Sequence, residues 1–169
     1  MSQITTNHVI KFSKATLMLF VSFFGLLVMY SNITDYATNY EYLSHILSMD
    51  TTHASSRYSE RAIASPILQH RIYWLIITLE VMYTSFCIIG TYYLYKNINS
   101  SSKKFHEAKK FAIIGLLIAL FLYYLCFQVI GAEWFNMDQS QHWNYKDWAQ
   151  HIVDFMLPSL LYVAIRIER

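Results

Sequence analysis

The chain has 169 residues, of which 55% are hydrophobic, 17% aromatic and only 14% charged, and its formal net charge is +2. Soluble domains carry about 25% charged residues, so this composition excludes an ordinary soluble fold. With only four Gly and two Pro, and with apolar runs that are continuous rather than alternating, it also excludes a transmembrane barrel and leaves long helices in a bilayer.

Residues 1–14 are polar and place Lys11 and Lys14 just ahead of the first apolar run. No small-x-small cleavage site follows that run in VMYSNITD, so it reads as a retained first span, residues 15–31, rather than a signal peptide. Its small residues Ser22 and Gly25 allow a neighbour to approach closely. The first outer loop, residues 32–70, contains Tyr36, Tyr40, Leu43 and Leu47 at spacings of four, three and four. That stripe predicts a short amphipathic helix, capped by Thr34 or Asp35 and lying on the membrane surface or on the bundle. The Ser/Thr-rich stretch from Thr51 to Ser65 reads as irregular chain.

Ser65-Pro66 has the form of a helix start, a capping serine followed by proline at the first helical position. The second span is expected over residues 71–95, and a polar, basic inner loop over 96–110. The third span covers 111–132 and contains one strongly polar residue, Gln128. A short aromatic outer loop, 133–147, leads to a capping-box pattern at Asn144 and Asp147 and then to the fourth span, 148–165, with Pro158 inside it. The expected fold is therefore all-α: a single domain built as a four-helix transmembrane bundle with a short amphipathic helix in the first outer loop. Cys87 and Cys126 both lie in apolar runs, at depths too different for a bridge, and read as core thiols.

Nine of the 13 basic residues fall in the N-terminal segment, the 96–110 loop and the tail: Lys11, Lys14, Lys96, Lys103, Lys104, Lys109, Lys110, Arg166 and Arg169. By the positive-inside rule both termini are cytoplasmic. The Trp residues, Trp74, Trp134, Trp143 and Trp148, all fall at the opposite ends of the spans, where an interfacial belt is expected.

Glu80 stands in the middle of the second span, and an acid there costs roughly 2.5–3.5 kcal/mol on the insertion scale. With the tryptophans as interface markers and a rise of ~1.5 Å per residue, Glu80 lies about 9 Å below Trp74. On the same scale Gln128 lies about 9 Å below Trp134 and Asp154 about 9 Å below Trp148. His151 sits one turn above Asp154, and Gly25 falls at a comparable depth. Glu80, Thr84, Cys87 and Thr91 share one helical side, as do His151, Asp154, Pro158 and Tyr162, so both stripes are expected to face inward.

Such a polar layer has four readings. It is a hydrogen bond that holds the helices in register, an outward-opening pocket for a quinone or lipid headgroup, a proton- or cation-handling site using Glu80 with His151 and Asp154, or a metal or haem site. The seven histidines form no HxxxH or HExxH pair, and only His70 and His151 stand near helix ends, so no metal, haem or other cofactor is expected. No phosphate-cradling loop, nucleophile elbow or CxxC pair occurs, so no enzymatic activity is expected. The Lys-rich inner loop reads as a topology determinant and anionic-lipid contact, with no nucleic-acid partner.

The strings NITDYATNYEYLSHILSMDT, RAIASP and GAEWFNMDQSQHWN together resemble a bacterial family known only as predicted small integral membrane proteins, a domain of unknown function. The resemblance covers nearly the whole chain. It implies four spans in a bacterial inner (cytoplasmic) membrane and supplies no activity. The matching positions Asp35, His45, Met49, Asp50, Glu133, Trp134, Phe135, Gln139, Trp143 and Asn144 gather at the outer face, which adds His45, Asp50 and Glu133 to the candidate residues. Departures stand at Ala132, Asp138 and His53, where the family pattern has Gly, Trp and Phe; the last weakens any metal role for His53.

These observations lead to a non-enzymatic accessory or assembly subunit of a membrane complex, associated with other membrane subunits or a second copy. In this reading it holds a small apolar ligand such as a quinone or lipid beneath its outer loops. The alternative is a transport or redox protein that handles protons or cations at Glu80, His151 and Asp154.

Overall fold

The computed structural model describes residues 5–52 and 59–168, and its secondary structure there is helical throughout. The first helix, α1 (Thr6–Thr34), begins on Thr5, whose side chain accepts the His8 N–H at 3.3 Å. It starts well before the expected span, because Lys11 and Lys14 bury their aliphatic stems and find acceptors for their ammonium groups.

One residue, Asp35, separates α1 from α2 (Tyr36–Ser48). Neither expected capping side chain serves α2. The Thr34 hydroxyl donates to Tyr30 O at 2.8 Å, and Asp35 offers its backbone carbonyl rather than its carboxylate to Asn39. The apolar stripe behaves as amphipathic spacing requires: Leu43 and Leu47 are buried, and Tyr36 and Tyr40 pack against the same cluster. Met49, at φ 55°, ends the helix in the left-handed conformation, and Ile63 N–H closes onto Leu47 O at 2.8 Å. Part of the stretch expected to be irregular, residues 53–58, lies outside the described residues; Ser59–Arg61 form a single 3₁₀ turn.

Helix α3 (Pro66–Lys96) starts with proline in its first turn, although the Ser65 side chain makes no capping bond. The 96–110 segment is not a plain loop. It contains α4 (Ser102–Ala108), anchored by the fully buried ring of Phe105. After a break at Lys109, α5 (Lys110–Leu120) runs directly into a stretch of wider, π-type winding at Phe121–Trp134, closed by the Phe135 N–H on Ile130 O at 3.2 Å. A short turn, Met137–Gln139, and α6 (Lys146–Ala164) complete the chain. Asn144 Oδ1 accepts the Lys146 N–H at 2.9 Å and so shapes the entry to α6.

Three stretches are long and apolar enough to cross a membrane: Thr6–Thr34, Pro66–Lys96 and Ser102–Trp134. Helix α6 packs with them but is shorter and more polar. The neighbours form a ring: α1 against α3, α3 against α5, α5 and the π stretch against α6, and α6 back against α1. Close approach is obtained by omitting side chains. A Cβ on Gly25 would lie 2.8 Å from the Tyr83 ring, and one on Gly90 would meet the backbone of Ala112. The main core fills the ring, and a second cluster binds α2 and residues 135–137 to the start of α3.

The orientation of α6 differs from the expected one. Ala149, Ile152, Val153, Met156, Ser159 and Val163 face the bundle, while His151, Asp154 and Pro158 are exposed. Both stripes have helical spacing, and packing selects the one with small and compact apolar side chains, which bring α6 close to α5.

Candidate functional site

Glu80 is 2% exposed, on the inward side of α3 with Thr84, Cys87 and Thr91, all buried. Its partner is neither Gln128 nor Asp154 but Asn32, near the end of α1. The Asn32 Nδ2 donates to Oε1 at 2.7 Å and to Oε2 at 2.8 Å. Tyr73, two turns of α3 nearer its start, donates its hydroxyl to the Asn32 backbone O at 3.1 Å and lies 3.2 Å from Oδ1. A chain of hydrogen bonds, from Tyr73 to Asn32 and from Asn32 to the accepting Glu80, thus ties α1 to α3.

The carboxylate remains under-coordinated. An ionised carboxylate offers about four acceptor sites, and one nitrogen serves both oxygens of Glu80. No salt bridge reaches it among the described residues. Its open side faces a cavity of about 210 Å³ roofed by α2 through Leu43 and Ile46 and walled by Tyr73, Tyr145 and Trp148. None of the residues lining the cavity is basic. Burial, and then the neighbouring Tyr42, push the Tyr145 phenol up to about 12, so it stays a neutral hydrogen-bonding group.

A second, wholly apolar chamber of about 240 Å³ adjoins the first. Leu43, Ile46, Ile76 and Phe127 line both, so a thin partition of side chains separates the acid from the apolar space. Gly131 and Met137 border the far side, where the π stretch gives way to the turn that follows it.

The other predicted residues are distributed around this centre. Gln128 is half-buried on the π stretch, and its Nε2 is buried without a hydrogen-bond partner. Tyr123, on the same stretch, fills the space against α3 and meets the Tyr83 hydroxyl at 3.2 Å. Asp154 is exposed and accepts from Gln150 Nε2 at 2.6 Å; His151 is exposed beside it. The shared polar layer of Glu80, Gln128 and Asp154 therefore does not form. Gly25 packs against Tyr83 and Thr84, one turn away from Glu80 rather than level with it. Glu133 is exposed.

His45 and Asp50 do come together at the α2 end. The left-handed Met49 folds the chain back, so His45 Nδ1 lies 2.8 Å from Asp50 Oδ2. The imidazole stacks on Trp143, with ring centroids 4.4 Å apart. Among the described residues, no three His, Cys, Asp or Glu side chains gather as a metal-binding group.

Sequence reasoning missed a second acidic centre at the opposite end. Glu168 in the tail is buried between Lys14 of α1 and Lys109 at the α4–α5 break; Lys14 Nζ is 2.8 Å from Oε2, and Lys109 bonds Oε1. Both lysines also cap Ile165 O, the free carbonyl at the end of α6, Lys109 at 3.0 Å. Burial alone would raise the Glu168 carboxyl, but its bonds to Lys109 and Lys14 outweigh it and hold it at about 2. The available signal was the position of Lys14 and Lys109 directly against apolar runs, where a lysine needs an acceptor.

A family model described as predicted small integral membrane protein, of unknown function, matches residues 10–166. No curated protein and no solved structure matches the chain.

Proposed function

Because the chain belongs to this family of small integral membrane proteins, we propose that it is a non-enzymatic binding protein of the bacterial inner membrane. In this reading it holds a small amphipathic molecule under its outer loops. Four spans, both termini cytoplasmic and α2 on the outer side make up the topology. The ring of α1, α3, α5 and α6 supports it, together with the basic residues gathered at the end where Lys11 meets Ser100 O at 2.6 Å.

The observation that carries the proposal is the buried, singly served carboxylate of Glu80 opening on a cavity with aromatic walls. Paired with the apolar chamber, the space falls within the roughly 300–1,000 Å³ of ordinary small-molecule sites. Few polar groups converge in an apolar setting, which is the composition of such sites. The test uses Trp148, a cavity residue. In nanodiscs of phosphatidylglycerol, octan-1-ol should change tryptophan emission saturably, and the response should disappear in Trp148→Phe. A linear response, equal in both proteins, would refute the proposal.

A second reading, as an accessory subunit, draws on α6. Its Gln150–Asp154 pair faces away from the bundle, and an acid within a span faces protein or water far more cheaply than lipid. A partner membrane subunit or a second copy of the chain would cover it. Cross-linking in native membranes from a cysteine at position 150 should trap one defined partner; recovery of uncross-linked monomer alone would exclude this reading.

A further inference from the structure

From the same site, and resting on the binding-protein reading above, we infer the chemical class of its ligand: an ammonium-headed amphiphile, with its cation on Glu80 and its chain in the apolar chamber. Three independent features point to a cation rather than to a neutral molecule such as a quinone. The first is the acid itself. Glu80 is 2% exposed and receives a single amide. To stay ionised a buried carboxylate needs a counter-charge, without which it keeps its proton, and no basic residue lines its cavity.

The second feature is the wall. Trp148, Tyr145 and Phe127 surround the open side of the acid, with Tyr145 and Trp148 ring centroids 5.5 Å apart and Phe127 and Trp148 6.4 Å apart. Aromatic rings lining a space beside a carboxylate form an environment that attracts alkylammonium groups, cation–π attraction adding to the charge where a ring face meets the cation. An anionic headgroup would meet the Glu80 carboxylate with no basic residue in the lining to offset it, and is rejected.

The third feature is the adjoining chamber. Its lining is apolar throughout, and Leu43 and Ile46 of α2 border both spaces. Helix α2 is held to the bundle by side-chain packing and lies just after the Asp35 break. Once Leu43 and Ile46 rotate out of the partition, a ligand with a charged head and a short alkyl chain matches this sequence of surfaces, whereas a small hydrophilic cation would leave the chamber unused. The same headgroup chemistry has two sources, an ethanolamine phospholipid from the bilayer and an alkylammonium compound from the aqueous phase.

The experiment titrates octyltrimethylammonium and octan-1-ol into the protein in phosphatidylglycerol nanodiscs, reading Trp148 emission. Wild type should bind the cation at least tenfold more tightly than the alcohol. Glu80→Gln should lose that preference and still bind octan-1-ol, which shows that the cavity is intact, and Glu80→Asp should retain part of the preference. Equal binding of both probes by wild type would overturn the ammonium inference and leave the binding-protein reading standing. Saturable binding of neither would overturn both. Native mass spectrometry from discs containing phosphatidylethanolamine separates the sources. A lipid adduct on wild type that is lost in Glu80→Gln assigns the bilayer lipid, and cation binding without that adduct assigns the aqueous compound; either supports the inference.

Discussion

Two carboxylates, Glu80 and Glu168, are each 2% exposed, yet they sit in opposite circumstances. Glu168 is clamped by two ammonium groups that also close the end of α6. Glu80 has one amide and an open side. Equal burial therefore does not mean equal role. An acid whose partners are all supplied by the chain holds the fold together, and an acid left with unused acceptor capacity in a cavity is available to something else.

The largest effect should come from breaking the saturated acid. Glu168→Gln leaves Lys14 and Lys109 buried without a counter-charge and is expected to cost about 3 kcal/mol, the lower end of what removing one partner of a buried ion pair costs. Reversible unfolding in mixed micelles measures it. The pH dependence follows from the same clamp. Glu168 falls from its ordinary 4.5 to about 2 in the fold, so its contribution is complete above pH 4.5 and is lost as the pH falls toward 2. Wild type should lose stability relative to Glu168→Gln across that window, and parallel pH profiles for the two proteins would contradict the clamp.

Next in size is the contact that sets the unsaturated acid. Gly25 lets α1 close on Tyr83 and Thr84, two turns from Asn32. Gly25→Ala overpacks this contact and is expected to cost about 1–3 kcal/mol. The damage should be local: octan-1-ol binding at the Glu80 cavity weakens, while the pH profile governed by Glu168 keeps its shape. A changed pH profile with unaltered binding would show that the two ends are not independent.

How far this arrangement is legible in the sequence depends on the type of signal. The long apolar runs, the α2 stripe and the isolation of Glu80 all follow from composition and helical spacing. The partner of Glu80 does not. Asn32 falls in the stretch expected to be outer loop, because nothing local shows that α1 stays helical to Thr34 and brings its last turn beside Glu80. The depth expected for Gln128 rests on the rise of an ordinary α-helix, whereas Phe121–Trp134 is wound more widely. His45 and Asp50 are five residues apart, which is no helical spacing, and meet only through the left-handed turn at Met49. The Lys14–Glu168–Lys109 clamp joins residues from the two ends and the middle of the chain, and pairings at such separation leave no periodic trace.

Exchanging Glu80 itself for Gln should affect stability little, within about 1 kcal/mol, because removing a buried charge relieves its desolvation while the amide oxygen still accepts from Asn32. Stability unchanged with ligand preference lost is the signature of a functional acid, and a loss comparable to that of Glu168→Gln would make Glu80 structural instead.

The smallest effect belongs to a third acid, which sets the lower limit of the series. Asp50 is exposed, and its carboxylate meets the partly exposed His45 ring that stacks on Trp143. Solvent screens this pair, so Asp50→Asn should change stability by less than about 1 kcal/mol, with the small difference disappearing in high salt. Emission from Trp143 reports the contact directly, since a freed imidazole no longer covers the indole. A stability loss that persists in high salt would mean that residues 41–50 fasten α2 over the cavity more firmly than their exposure implies. Motion of α2, rather than rotation of Leu43 and Ile46, would then limit access to Glu80.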